Sequence, residues 1–310
     1  MAGGPSSPAL VNAAADAGSL GFLAPGGAPA ALLTDQMAQV RGRYGVNLFT
    51  RQASFPSLAD VHRIAGDREL PEVDLSNDFD AKFAAVLAAE HPPEVVSATF
   101  GPFSDAEVAA LHDRGIAAWI TVTTPADAVA AARVGADALV VQGPDAGGHR
   151  STWTIDATPD ARSLAELVRS VAEVVDLPLI AAGGIRDATD VASALALPGV
   201  VAVSCGSSFL LADEAGTSQL NRELLAEGGA SVASRAFSGR VARGLETDFS
   251  RNNPDMPPIY PYLVPLQAAE RAAHPRELAY CLVGVDVEKI GGGTAAEILA
   301  RLAPEQGVSG

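Results

Sequence analysis

Short aliphatic and β-branched runs alternate along the chain with alanine-rich segments whose apolar positions recur every three to four residues. The runs predict strands at Leu20–Leu23, Val46–Phe49, Val95–Thr99, Ala117–Val122, Ala138–Val141, Leu179–Ala182 and Val200–Ser204. The periodic segments predict helices at Pro8–Ala17, Phe79–Ala89, Asp105–Arg114, Ala126–Val134, Ala161–Val175 and Asp187–Leu195. Strands apolar on both faces, alternating with helices, build a parallel sheet from βαβ units. Gly18, Gly115 and Gly135 stand where left-handed geometry would end a helix before the next strand. The expected fold is α/β, a (β/α)8 TIM-type barrel with a small helical C-terminal subdomain. Seven strands are countable where eight are needed. The first is the one missing: Met1-Ala2-Gly3-Gly4 reads as the loop after a strand, and Pro8 opens a helix almost at once. That strand is expected either upstream of this numbering or replaced by another closure.

Two regions break the alternation. Arg51–Ser76 is polar and interrupted by Pro56 and Pro71, which predicts an excursion over one barrel mouth. After Ala212 the βα rhythm stops. The expected organisation is a barrel over 1–212, a small subdomain over 213–261, and C-terminal helices within 262–310, at Tyr262–Ala273 and Ala295–Leu302, packing on the barrel.

Composition narrows the function. The 310 residues carry a net charge of -16, with 48% hydrophobic and 19% charged residues, so a disordered chain is excluded. Such acidity argues against nucleic acid and anionic membranes as partners. Cys205 and Cys281 are isolated, giving neither a disulfide framework nor metal-ligand spacing, and a reducing cytoplasm is the natural compartment. The start MAGGPSSPAL lacks the basic and apolar regions of a secretion signal, and Pro198, Gly199 and several serines break the longest uncharged stretch, Leu195–Ala212.

Barrel chemistry sits at the C-terminal ends of the strands. There the segment VVQGPDAGGHRSTW presents His149 after Gln142 on a loop with Gly147 and Gly148. The competing reading is a long polar loop with an incidental histidine. Further on, AAGGIRDATD places Gly183 and Gly184 before a helix capped near Asp187, and SCGSSF places Gly206 and Ser207 after the last strand. Backbone amides at such turns suit a phosphate, and barrels join their last two loops in one phosphate site. The alternative is that these glycines serve tight turns alone. His62, His91, His112 and His274 read as structural or solvated. No catalytic triad, Walker loop or HExxH motif is present.

In order and spacing, MAGGPSSPAL, NAAADAGSLGFL, GVNLF, VVQGPDAGGH, AAGGIRD, CGSSFLLADEA and RAFSGRVARGL make the chain resemble the nitronate monooxygenase (2-nitropropane dioxygenase-like) family over nearly its whole length. The resemblance implies an FMN-dependent barrel enzyme that oxidises alkyl nitronates, and nitroalkanes as a further class, with dioxygen to carbonyl compounds and nitrite. It implies His149 as the catalytic base. It implies a flavin site of Met1, Ala2, Gly3, Asn47, Gln142, Gly147, Gly148, Gly183, Gly184, Ser204, Cys205, Gly206 and Ser207. This chain has Asp145 where relatives carry Glu, Ser204-Cys205-Gly206-Ser207 where they carry Gln-x-Gly-Thr, and Leu282-Val283-Gly284-Val285 where many carry Trp-Ala-Gly-Gln. An ordinary imidazole base predicts a pH profile rising near 6.5. Two alternatives stand beside this expectation: an FMN- and NAD(P)H-dependent enoyl-(acyl carrier protein) reductase, and a non-catalytic flavin-binding protein.

Overall fold

A computed structural model describes residues 1–54 and 57–304. Pro56, one of the two prolines expected to interrupt the polar excursion, lies outside the described residues, as do the last six residues of the C-terminal stretch. Strands β1 (Gly21–Leu23), β2 (Tyr44–Phe49), β3 (Val95–Thr99), β4 (Ala117–Val122) and β5 (Ala138–Gln142) follow one another with helices between. The two-residue β6 (Gly148–His149) leaves this sheet, which resumes with β7 (Leu179–Ala182) and β8 (Val200–Ser204). The result is a parallel seven-stranded sheet of order β1-β2-β3-β4-β5-β7-β8, curled as a partial barrel. Its edges, β1 and β8, do not pair with each other among the described residues.

The central strands are buried along their length: Val46, Leu48, Val96, Ala98, Ile120, Val122, Leu139, Val141, Leu179 and Ala181 are all fully buried. That is why they read as continuous apolar runs rather than as alternation. At the β8 edge the cover thins, and Val201 is 64% exposed. Helix starts are set by side-chain caps: Ser104 with Glu107, Ser163 with Glu166, Asp187 with Asp190 and Thr294 with Glu297 form reciprocal pairs that satisfy otherwise orphaned amides. Gly115 and Gly135 take φ of +70° and +88° at helix ends, as their positions require.

The excursion contains the helix Ala59–Ala65, whose Val61 and Ala65 pack with Met256, Ile259, Leu263 and Leu266. The stretch 213–261 holds helices Gln219–Glu227 and Asp248–Asn252. It also holds β9 (Ser231–Ser234) and β10 (Ala242–Leu245), which periodicity did not reveal. Strands β9 and β10 are antiparallel, and β10 pairs with β6, setting Ala242 opposite His149 and Arg243 opposite Gly148. This three-stranded sheet lies at the C-terminal mouth of the barrel strands and holds the loop after β5 in place. The final helix, Ala295–Leu302, packs against the helices Pro8–Asp16 and Ala188–Leu195. No helix among the described residues is long and apolar enough to cross a membrane.

Candidate active site

A cavity of about 720 Å³ opens at the C-terminal ends of the strands. That falls in the range of roughly 300–1,000 Å³ typical of ligand sites. Of the residues expected at a flavin site, Met1, Ala2, Gly3, Asn47, Gln142, Gly147, Gly148, Gly183, Gly184, Ser204, Gly206 and Ser207 line it, as does His149, the expected base. Cys205 does not: its side chain packs against the barrel core, where burial pushes the thiol up to about 11 and keeps it protonated. Such a thiol is a small apolar filler.

The glycines divide by cause. A Cβ on Gly147 would lie 2.5 Å from Gly284 N and 2.7 Å from Ser207 Oγ, and one on Gly183 would lie 2.9 Å from Ala146 N. These two are required by protein neighbours as well as by any ligand. Gly148, at φ +86°, has nothing within 4 Å, and Gly206 has only Met1 atoms at 3.5 Å and beyond. The main-chain N–H groups of Gly184, Gly206 and Ser207 donate to no described residue. Ser207 Oγ accepts from Gly284 N at 3.0 Å, which leaves its own proton free to donate. Two adjacent loop ends with unspent donors are a fit for a phosphate ester.

Asn47 spends its amide nitrogen on Ser97 Oγ and Thr99 Oγ1, both at 2.9 Å, leaving its oxygen as an acceptor toward the cavity. Gln142 braces the loop instead: its Nε2 donates to His149 O at 2.9 Å and its Oε1 accepts from Ser151 N at 2.8 Å.

His149 is the one histidine on the cavity wall. Its ring meets Phe49, Phe100 and Tyr260 edge-on, at centroid distances of 6.4, 5.6 and 5.4 Å. Nε2 lies 2.7 Å from Ser238 Oγ. Ser238 is fully buried, donates to Arg240 O and accepts from Arg240 N, both at 3.3 Å. This hydrogen bond fixes the Nε2 edge of the ring, while Nδ1 has no hydrogen-bond partner among the described residues. Burial and the nearby Arg240 guanidinium push His149 down to about 3, so the ring is neutral at ordinary pH. The value of 6.5 expected from sequence belongs to a solvated imidazole, which this is not. Gly239, at φ +88°, lets the Ser238–Arg240 turn press against Ile259 and Tyr260; a Cβ there would lie 2.5 Å from Tyr260 N.

Several wall residues went unpredicted, Phe49, Arg186, Tyr260 and Tyr280, while Leu282, where many relatives carry Trp, does line the cavity. Ser238 and Arg240 stand in RAFSGRVARGL, whose resemblance was legible but whose contact with His149 was not. His112 and His91 are exposed, held by Asp137 at 2.9 Å and Gly42 O at 3.0 Å.

The family model described as "Nitronate monooxygenase" matches residues 1–289. A nitronate monooxygenase of Pseudomonas aeruginosa is 33% identical over 97% of this chain and 93% of its own. One of Paraburkholderia phytofirmans is 33% identical over 80% of this chain and 72% of its own. Among solved structures, nitroalkane oxidase from Streptomyces ansochromogenes superposes with a TM-score of 0.87 at 32% identity, covering 97% of this chain and 92% of that one. FabK from Thermotoga maritima, at TM-score 0.71 and 22% identity over 96% of this chain and 88% of its own, shares the fold. With a family match spanning nearly the whole sequence, and relatives that align across the barrel and the mouth sheet alike, the chain belongs to the nitronate monooxygenase family of flavin oxidoreductases.

Proposed function

We propose that the protein binds FMN in this cavity and oxidises alkyl nitronates with dioxygen to carbonyl compounds and nitrite. The observation that carries this reading is a neutral imidazole, His149, fixed by a buried serine on the wall of a cavity whose far loops offer free amides to a phosphate. The absence of a second phosphate fingerprint in the sequence favours a mononucleotide over a dinucleotide. Bound flavin supplies the redox chemistry that these side chains lack.

The chain's own residues bind, orient and hold protons. Gly184, Gly206 and Ser207 present donors to the phosphate, and Asn47 presents an acceptor to a ring N–H. Phe49, Tyr260 and Leu282 give the substrate end an apolar wall that keeps water from the reacting carbon. His149 at about 3 is a weak base, with little driving force to take a C–H proton from a neutral nitroalkane at pH 7. The pre-ionised nitronate, which has no such proton to lose, suits the site better. For it, the His149 ring serves chiefly to shape the wall, beside Phe49 and Tyr260, against which the nitronate lies.

The test is anaerobic mixing of the purified yellow protein with ethyl nitronate and, separately, with NADPH. Nitronate should bleach the flavin, NADPH should not, and denaturation should release FMN. Colourless protein that fails to take up FMN would overturn the cofactor assignment. Bleaching by NADPH with nitronate inert would overturn the reaction.

A further inference from the structure

Buried cations stand beside a cavity whose own lining holds Glu72, Asp74 and Arg186. The chain carries a net charge of -16, yet three arginines beside the cavity are buried: Arg150, Arg186 and Arg240, at 6, 8 and 0% exposure. Among the described residues none of the three forms a carboxylate ion pair, whereas exposed arginines such as Arg43, Arg51 and Arg276 all do. Each buried guanidinium also keeps one nitrogen without a partner: Nε of Arg150, Nη2 of Arg186 and Nε of Arg240. Burying a cation without a counter-ion is costly, and folds ordinarily place a carboxylate against it. In a chain with 37 acidic residues, leaving these three unpaired is a feature of the site rather than a shortage of acids.

Arg240 is the one at the His149 end. Its Nη1 donates to Thr152 O at 2.6 Å and its Nη2 to Gln52 Oε1, both neutral acceptors. The guanidinium carbon stands 4.0 Å over the Phe100 ring and 5.4 Å from the Tyr260 centroid. Those two rings are among the three that meet the His149 imidazole edge-on. The charge therefore sits one aromatic layer behind the catalytic wall, in surroundings that screen it poorly. Arg186 belongs to the other end, where a Cβ on Gly284 would lie 2.4 Å from its Nη2. Arg150 is turned to main-chain oxygens of Gln142 and Asp160.

Building on the nitronate reading, we propose that Arg240 is a positioning residue that makes the His149 wall selective for a planar oxyanion. Its guanidinium, unpaired and held behind Phe100 and Tyr260, favours the two negatively charged oxygens of a nitronate over the uncharged nitro group of the parent nitroalkane. It reaches the substrate through space and through the orientation of Tyr260 and the Ser238–His149 pair, without lining the cavity itself. Nitrite leaves as an anion too, so the same charge holds product, and release becomes sensitive to it.

Three variants and two readouts test this. In the wild-type holoenzyme, the KM for ethyl nitronate should lie at least tenfold below that for nitroethane. Calorimetry should also detect binding of nitrate, a planar anion that needs no turnover. In Arg240→Met, nitrate binding should weaken ten- to hundredfold and the nitronate KM should rise by a similar factor. The KM for nitroethane should move less than threefold. Arg240→Lys, which keeps the charge and loses the fork, should recover most of the nitrate affinity. Arg43→Met, at an exposed arginine away from the cavity, should leave nitrate binding within threefold of wild type. A merely structural arginine would raise both KM values together and would not be rescued by lysine, and either result overturns the proposal. If Arg240→Met does not fold, the lysine variant and the wild-type preference decide: equal affinity for nitronate and nitroethane would refute it. Should the holoenzyme fail to turn over nitronate at all, the function assigned above falls, while nitrate binding still reports on Arg240.

Discussion

Replacing Gly147 by alanine isolates the seam on which the cavity's phosphate end depends. Gly147 does not have a positive φ, so its side chain is excluded by contact and not by torsion. The new Cβ would sit 2.5 Å from Gly284 N and 2.7 Å from both Val283 C and Ser207 Oγ. The first and last of these are the partners of a hydrogen bond at 3.0 Å that joins the C-terminal loop to the 3-10 turn after β8. Beside it, Val285 N donates to Asp145 O at 3.3 Å. Separating the loops by a few tenths of an ångström weakens both bonds, at about 1 kcal/mol each, and adds overpacking of roughly 1–3 kcal/mol. The sum, roughly 3–5 kcal/mol, should lower Tm by about 5–8 °C in a chain of this size. It should also raise the Kd for FMN by tenfold or more, since one lost hydrogen bond is worth about that factor. Gly115→Ala, outside the cavity, is the control. There the space is open and φ is +70°, so only torsional strain of roughly 1–2 kcal/mol applies. Its Tm should fall slightly and its FMN affinity should stay near wild type. Differential scanning calorimetry and fluorescence quenching on the apo-protein measure both quantities. Equal behaviour of the two variants would refute the reasoning, because it would show that the seam at Gly147 bears no steric constraint.

His149→Asn should keep FMN and lose roughly a hundredfold in rate on neutral nitroalkanes, the low end of the range for a positioned base, with a smaller loss on nitronate. The wild-type rate should show no imidazole step between pH 5 and 8, because the folded ring takes its proton only near 3. The sign for stability follows from linkage. As pH falls below about 6.5 the unfolded chain binds this proton first, so folded-state stability drops toward acid and is unaffected above it. At pH 4.5 the loss is roughly 1–2 kcal/mol after allowance for the ring's water-accessible cavity face, and urea denaturation of His149→Asn should lack it. Ser238→Ala removes the 2.7 Å partner of Nε2 and releases that edge of the imidazole. It should cut kcat roughly tenfold or more with FMN content unchanged, and normal kinetics in that variant would remove Ser238 from the site.

The seven strands of the main sheet were legible in the chain because the central ones are buried on both faces and so appear as unbroken apolar runs, and the edge strands β1 and β8 keep the same aliphatic composition; Val95–Thr99, Ala117–Val122, Leu179–Ala182 and Val200–Ser204 form over the residues expected. The glycine-bearing loops and His149 could be placed at the barrel mouth for the same reason, since strand ends mark where a barrel puts its chemistry. Strands β6, β9 and β10 left no such signal. Two residues carry no period, and β9 and β10 are defined by pairing with each other and, for β10, with a loop about 90 positions away. The juxtaposition of Ser238 and Arg240 with His149 is decided by that pairing alone. So is the charge state of His149. The amino-acid type sets a solvated value of 6.5, and only the burial of the ring behind Phe49, Phe100 and Tyr260, with an unpaired guanidinium one layer away, moves it to about 3. Local sequence thus determines what is apolar enough to become a strand and which residues stand at its end. Which tautomer, which charge and which neighbour those residues acquire depends on long-range contacts that only the folded chain brings together.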